Sequence, residues 1–379
     1  MIKSLLTSFG QYLKKCDLGL LAIAIACSVI SLVAIRSATL SFGTNQFMII
    51  QLLAVVLGIV AFFVVSAIDL DKFGDLWIYA YIFNILFQLS LYFLGSEGNT
   101  GNRSWIRLED LHIPIPLGIQ PGEIGKLIFI FTMSRHFYIL RDKLDRLASL
   151  LQLGFHMLST VAAVYVISHD LGVALSYVLI FIIMLFASGM SMKIFLPLCA
   201  AGCASLVPIW KYFLKGYHKT RILVLFDPMI DYEKARHGIY SMTAVGGGQM
   251  FGYGYMQGTM TQYERLPSKH TDFIFSTICE EWGLVGGVVV ILILSMLVWK
   301  IFHDAYGADN RFGYLMCVGI SGMFMVQILI NLGMCLGIMP VIGLTLPFIS
   351  YGGTSVLTMY IALGMVCGLQ MRKRPDRLK

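Results

Sequence analysis

The chain has 379 residues, of which 58% are hydrophobic and only 13% charged, with a formal net charge of +7; its mean hydropathy is +0.78. Soluble domains carry about 25% charged residues. The composition therefore excludes an ordinary soluble enzyme and points to an all-α, polytopic membrane protein with almost no soluble mass.

Ten apolar runs long enough to span a bilayer follow one another, at about 18–35, 46–68, 76–94, 119–137, 151–168, 171–188, 193–213, 271–299, 313–337 and 350–369. The first run lacks a small-residue cleavage pattern behind it, so it is expected to stay as a span rather than act as a signal peptide. Little more than His169–Asp170 divides the fifth run from the sixth. With the N-terminus inside, the inner segments hold Lys3, Lys14, Lys15, Lys72, Arg135, Arg141, Lys143, Arg146, Lys193, Lys300, Arg311 and the tail RKRPDRLK, while the short outer loops hold only Arg36, Arg103 and Arg107. This bias puts both termini in the cytoplasm. It also explains the positive charge by orientation and anionic lipid, with no nucleic-acid partner needed.

The chain is expected to form a single membrane domain over 1–379. A short tail (1–17) and a basic tail (370–379) lie inside, and a large extracytoplasmic loop (214–270) lies between the seventh and eighth spans. A smaller outer loop, 95–118, opens with turn formers and closes with prolines. Within the large loop, the glycine-rich stretch Val245–Gly258 lacks the Gly-Lys-Ser/Thr that would make it a phosphate-binding loop. It reads better as backbone that bends sharply or packs closely, in the manner of a re-entrant segment. The eight cysteines lie mostly inside spans and imply packing rather than a disulfide framework or metal set; Cys199 and Cys203 share one helix face.

Charges near hydrocarbon are costly and mark either anchors or working sites. Span four opens Gln120-Pro-Gly-Glu-Ile-Gly-Lys126, where Glu123 and Lys126 are three apart and can pair. The pair locks two helices or walls an outward-facing cavity. Asp170 at the start of span six is suited to the helix macrodipole. Span eight is preceded by RLPSKHTDF, with Thr271 in position to cap the helix and Asp272 aimed at the outer surface. Helical phase turns Glu280 and Glu281 away from Asp272, toward support of the fold. The last span opens Ser350-Tyr-Gly-Gly-Thr-Ser355, where small residues allow close helix contact or backbone contact with a polar ligand. Arg103, Arg107, Glu123, Lys126, Asp170, Arg265, Lys269, His270, Asp272 and the Ser350–Ser355 segment gather at the outer interface, with the two glutamates deeper, which suits a substrate with an anionic headgroup outside and a lipid tail in the bilayer.

The same stretches carry a family resemblance. Gly101–Leu108, Gln120–Lys126, Asp170–Gly172, Tyr263–Gly287 and Asn331–Ser355 resemble the SEDS (shape, elongation, division and sporulation) family, the group of RodA, FtsW and SpoVE. Leu-Pro-Ser-Lys-His-Thr-Asp-Phe-Ile-Phe and Pro340-Val-Ile-Gly-Leu-Thr-Leu-Pro-Phe-Ile-Ser-Tyr-Gly-Gly353 are the most specific matches. Met256–Gln262 is similar to the RodA branch. The sequence departs from the family at Gly122, where serine is usual, and at Ser168–His169, which replace Gln-Pro.

The resemblance implies a peptidoglycan glycosyltransferase of the bacterial cytoplasmic membrane. It would polymerise lipid II into undecaprenyl-pyrophosphate-linked glycan for cell-wall elongation and rod shape. A class B penicillin-binding protein and other elongation machinery would be its partners. Asp272 would be the catalytic residue, expected to be ionised at neutral pH as a general base. Arg103, Trp105, Glu123, Lys126, Arg265, Lys269, His270, Ser350, Gly352 and Gly353 would hold substrate, with Asp170, Glu280 and Glu281 in support. Lys126, Arg103 or Arg265 would face the leaving pyrophosphate. A divalent cation, magnesium or manganese, is optional there, since no aspartate-rich metal motif is visible. A flippase of lipid-linked precursors, a scaffold for the penicillin-binding protein, and a division or sporulation polymerase of the same family are the alternatives.

Overall fold

The protein is seen in a computed structural model that describes residues 12, 14–96, 103–107, 109–111 and 118–372. The basic tail beyond Arg372, Lys3 of the N-terminal tail, and Gly101 and Leu108 of the matching outer loop lie outside the described residues. Eight helices among those described are long and apolar enough to cross a membrane. Two further helices bring the spanning layout to the ten runs of the sequence.

Helix α1 (Leu18–Ala38) starts where the Asp17 carboxylate accepts from the N–H groups of Gly19 and Leu20 at 3.0 and 3.2 Å, filling two of the donors that a helix start leaves free. It is followed by α2 (Gln46–Ala67), α3 (Trp77–Leu89) and its short continuation α4 (Leu91–Leu94). A two-residue antiparallel ladder, β1 (Ile106–Arg107) with β2 (Gly118–Ile119), closes the outer loop 95–118. Then come α5 (Pro121–Ile139), α6 (Leu147–Ser168), α7 (Leu171–Ala187) and α8 (Met192–Pro208). The narrow boundary between α6 and α7 is sharp. His169 adopts the left-handed conformation at φ 53° and ends α6, and Asp170 accepts from the Val173 N–H at 3.0 Å to start α7.

The stretch 214–270 is more ordered than its reading as an outer loop implies. It folds as α9 (Gly216–Phe226), α10 (Tyr232–Gly247) and the single turn α11 (Thr259–Gln262). The last three helices are α12 (Ile274–Tyr306), α13 (Arg311–Cys335) and α14 (Gly353–Met371). Since α12 begins at Ile274, Thr271 is not its cap; its hydroxyl donates instead to the Ser268 carbonyl at 3.3 Å. The turn holding Asp272 therefore precedes the helix rather than forming its first turn.

Helix α13 is the most enclosed of the spans and packs against α5, α7 and α12. Helix α14 lies along α2 at close range, and a Cβ at Gly364 would stand 2.8 Å from the Phe62 carbonyl, the approach that small residues permit between membrane helices. At the rim, α8 has no buried residue. Cys199 and Cys203 on it are half-buried and exposed rather than packed, because among the described residues the helix is only partly covered, at Ile194 and Phe195.

Helix α12 is broken at Gly283, whose φ of 68° and ψ of −166° no helical residue adopts. The break opens two rungs of the hydrogen-bond ladder, and the glycine-rich segment closes both. The N–H groups of Tyr253 and Gly254 donate to the carbonyls of Glu280 and Glu281 at 3.0 Å each, and the N–H groups of Leu284 and Val285 donate to the carbonyls of Gln249 and Met250 at 2.8 and 3.2 Å. Four backbone groups of α12 at the kink thus regain partners, as buried backbone must within a bilayer. Gly252, at φ 78°, allows this contact, since a Cβ there would collide with the backbone of Glu281 and Trp282. The close packing expected of Val245–Gly258 is this insertion.

Candidate active site at the outer face

The site begins with the turn before α12. Asn331 of α13 donates to the Asp272 carbonyl at 2.8 Å and to the Leu344 carbonyl at 2.7 Å. From the other side, Ser350 donates to the Thr271 carbonyl at 2.6 Å, and the Tyr351 N–H donates to the His270 carbonyl at 2.9 Å. The turn is therefore clamped between α13 and the lead-in to α14. Ser268 and Phe348, in the clamped and clamping segments, sit at φ 48° and 59°, a left-handed strain that non-glycine residues keep only where neighbours enforce it. The clamp acts on the backbone, and the Asp272 carboxylate lies against Gly343, where a Cβ would stand 3.6 Å from its Oδ2.

Beside it lies a cavity of about 170 Å³. Its polar end is formed by Asp170, His218 and Arg221, and its body by Leu175, Leu179, Ile222, Ile330 and Ile342. Burial, and then the neighbouring Asp170 carboxylate, push Asp272 up to about 6, against the opposing pull of Arg221 and the Thr271 hydroxyl. Asp272 still keeps some exposed surface. Burial raises Asp170 as well; its Val173 hydrogen bond opposes this, and Glu123 adds to it. The charges thus run in sequence from Lys126 and Glu123 through Asp170 to Asp272 and Arg221.

The structure gives several expected site residues internal partners. Lys126 and Glu123 pair at 2.7 Å on α5, with Lys126 0% exposed, and Gln327 donates to the second Glu123 oxygen at 3.4 Å. The pair is sealed behind Asp170 rather than open to the cavity. Lys269 is 2% exposed and donates to the Ser41 hydroxyl and the Thr261 carbonyl, both at 2.7 Å. Its burial lowers its pKa. His270 lies among the rings of Phe42, Phe47 and Tyr351, and burial followed by Lys269 brings it down to about 4, so it is neutral. Ser350 also accepts from the Leu346 N–H at 2.8 Å, and the Gly352 N–H donates to Gln51 at 3.2 Å. Gly353 begins α14. Ser350 and Tyr351 hold the Asp272 turn in place, and none of Glu123, Lys126, Lys269, His270, Ser350, Gly352 and Gly353 lines the cavity.

Arg265 and Arg103 are exposed. Trp105 pairs with Ser96 and covers Gly118 in the outer loop. Glu280 accepts from the N–H groups of Met260 and Thr261 at 2.6 and 3.0 Å and from the Thr261 and Thr259 hydroxyls at 2.7 and 3.3 Å. Glu281 accepts from Ser37 at 2.5 Å and Gln262 at 3.2 Å. Both carboxylates fasten α11 and α1 to the outer half of α12.

Arg221 is the site residue that the sequence does not disclose. It lies outside every recognisable motif, in a stretch legible only as a long loop. The one available signal is the spacing of Lys215, His218 and Arg221, three apart along a helix and hence on one face. Among the described residues no three His, Cys, Asp or Glu side chains group as a metal set. Asp170 and Asp272 alone are an incomplete one, and no step below passes through a metal ion.

Comparison with known proteins places this architecture. The peptidoglycan glycosyltransferase RodA of Treponema pallidum is 28% identical, over 85% of this chain and 89% of its own. Stage V sporulation protein E of Bacillus subtilis is 30% identical, over 94% and 98%. A solved chain from a peptidoglycan synthase complex that coordinates polymerization and crosslinking superimposes with a TM-score of 0.79 at 26% identity, covering 95% of this chain and 99% of that one. The model of the FtsW/RodA/SpoVE cell cycle proteins matches residues 15–375, so the chain belongs to that family of multi-pass membrane proteins.

Proposed function

We propose that the outer cavity beside Asp272 is where this chain, a peptidoglycan glycosyltransferase of the cytoplasmic membrane, joins lipid II units into glycan strands. The activity rests on its family and on relatives so named. The site rests on one observation above the others: Asp272 is the carboxylate whose backbone is clamped from both sides while its side chain lies within electrostatic reach of Asp170 and Arg221, the polar end of a cavity that is apolar in its body.

In the proposed step the 4-hydroxyl oxygen of the acceptor sugar bonds to the anomeric carbon of the lipid-linked strand. Asp272 takes the hydroxyl proton, and the carbon–oxygen bond to undecaprenyl pyrophosphate breaks with its electron pair on the departing phosphate oxygen. A positioned carboxylate base contributes roughly 10²–10⁴-fold. At a pKa of about 6, Asp272 is mostly ionised at neutral pH, as a base must be. Asp170 acts through Asp272, by charge, and the buried Glu123–Lys126 pair fixes the wall behind Asp170.

A class B penicillin-binding protein is the proposed crosslinking partner, by likeness to the chain taken from a synthase complex. Elongation and rod shape are the proposed setting, on the similarity of Met256–Gln262 to the RodA branch. Purified, folded Asp272→Ala protein is expected to lose polymerisation of labelled lipid II. Polymerisation at the wild-type rate would show that Asp272 is not the base.

A further inference from the structure

A glycosyl transfer that expels a pyrophosphate needs a cation at the leaving group, and two lysines near the site are already bound internally. Lys126 is closed on Glu123, and Lys269 on Thr261 and Ser41. Arg221 is differently placed. It is half-buried, lines the charged end of the cavity, and forms no ion pair among the described residues. Its guanidinium lies 4.4 Å from the centre of the Tyr217 ring and donates to the Tyr217 hydroxyl. One edge of the fork is thereby fixed in orientation, while its charge is felt by Asp272 without a direct ion pair.

A histidine kept toward its neutral form by burial and by neighbouring cations, and a lysine, flank it. His218 lines the same end of the cavity, and Lys215 lies 3.2 Å from His169, the residue before Asp170. Behind this mouth the lining is aliphatic, with Leu175, Leu179, Ile222 and Ile330. An arginine at the mouth of an apolar body, beside an Asp170 carboxyl whose pKa burial raises, matches an amphiphile with an anionic head. A planar guanidinium with several donors suits phosphate oxygens better than an ammonium does.

We infer that Arg221 binds the pyrophosphate of the polyprenyl-linked donor and stabilises the charge that builds on it as the glycosidic bond forms. This rests on the cavity being the polymerase site. The anomeric carbon–oxygen bond breaks, its electrons pass to the pyrophosphate, and Arg221 meets the added negative charge there, while Asp272 holds the proton of the acceptor hydroxyl. Arg221 touches the leaving group and is a catalytic residue in that sense. Asp272, on the far side of the reaction, handles the nucleophile.

The test uses the full-length purified protein with labelled lipid II, and farnesyl pyrophosphate and farnesol as competitors. Arg221→Gln is expected to lower kcat roughly 10²-fold with a smaller change in KM, the size of effect seen when one donor to a developing anion is removed. Arg221→Lys is expected to recover part of that loss. Wild-type protein is expected to be inhibited more strongly by farnesyl pyrophosphate than by farnesol. Arg221→Gln should lose that difference, and Asp272→Ala, followed by direct binding of the same two probes, should keep it. A wild-type kcat in Arg221→Gln, or an undiminished preference for the pyrophosphate, overturns the inference while leaving the Asp272 site standing. Wild-type polymerisation by Asp272→Ala sinks the site itself instead. Farnesyl pyrophosphate binding is read independently of turnover, so a folded but inactive variant still gives an answer.

Discussion

Asp272 and Glu280 lie eight positions apart in one motif-rich stretch, yet the structure treats their carboxylates in opposite ways. Glu280 is fully buried and accepts from two backbone N–H groups and two hydroxyls of α11. Nothing remains on it for a substrate. Asp272 has its backbone held by Asn331 and the neighbouring Ser350–Tyr351 clamp, and its side chain left beside Asp170 and Arg221 at the polar end of a cavity. A carboxylate saturated with donors is a fastening. One whose backbone is fixed while its oxygens stay available is suited to taking a proton. Proximity in sequence therefore says little about shared work; the distribution of hydrogen bonds separates the two.

Removing the fastening should cost stability rather than chemistry. Glu280→Ala strands the donors of Met260 and Thr261 in a buried setting, and at about 1–3 kcal/mol for each unmet group the loss is expected to be about 3 kcal/mol or more. A lowered melting temperature in detergent checks this, and the fraction that stays folded should still polymerise lipid II. Comparable melting temperatures for Glu280→Ala and wild type, with activity abolished, would erase the contrast with Asp272.

A smaller effect is expected one layer further out, where the glycine-rich segment enters the break in α12. Gly252→Ala puts a Cβ against the backbone of Glu281 and Trp282 at a φ of 78°, and left-handed strain alone costs about 1–3 kcal/mol. Faster hydrogen exchange at Tyr253, Gly254, Leu284 and Val285 is the specific readout, because those four N–H groups close the break. Unchanged exchange there would mean that the insertion does not hold the kink.

The spans were legible in the sequence because hydropathy is a long-range pattern, and the ten helices match the apolar runs to within about five residues at every end but one, α12 continuing to Tyr306 past the run that ends at 299. Asp272 was legible because RLPSKHTDF carries a specific family pattern beside hydrocarbon. What escaped was tertiary. The α9 and α10 helices of residues 214–270 have too little continuous apolar character to announce themselves, so Arg221 looked like one more loop cation. Lys269 and His270 looked available because they adjoin Asp272 in sequence. Only the fold shows them turned to Thr261, Ser41 and a nest of aromatic rings. The break at Gly283 also had no local sign, since glycine within an apolar run is common in membrane helices.

The pH dependence of lipid II polymerisation by wild-type protein, set beside that of Asp170→Asn, tests most directly whether Asp272 is the base. The base works when ionised, so the rate should fall as pH drops through about 6. Asp170 raises that pKa by like charge, so Asp170→Asn should move the acid limb to lower pH. A wild-type rate that stays level from about pH 5 to 8, across the range in which such a carboxylate takes up its proton, or an acid limb unmoved by Asp170→Asn, would contradict the assignment.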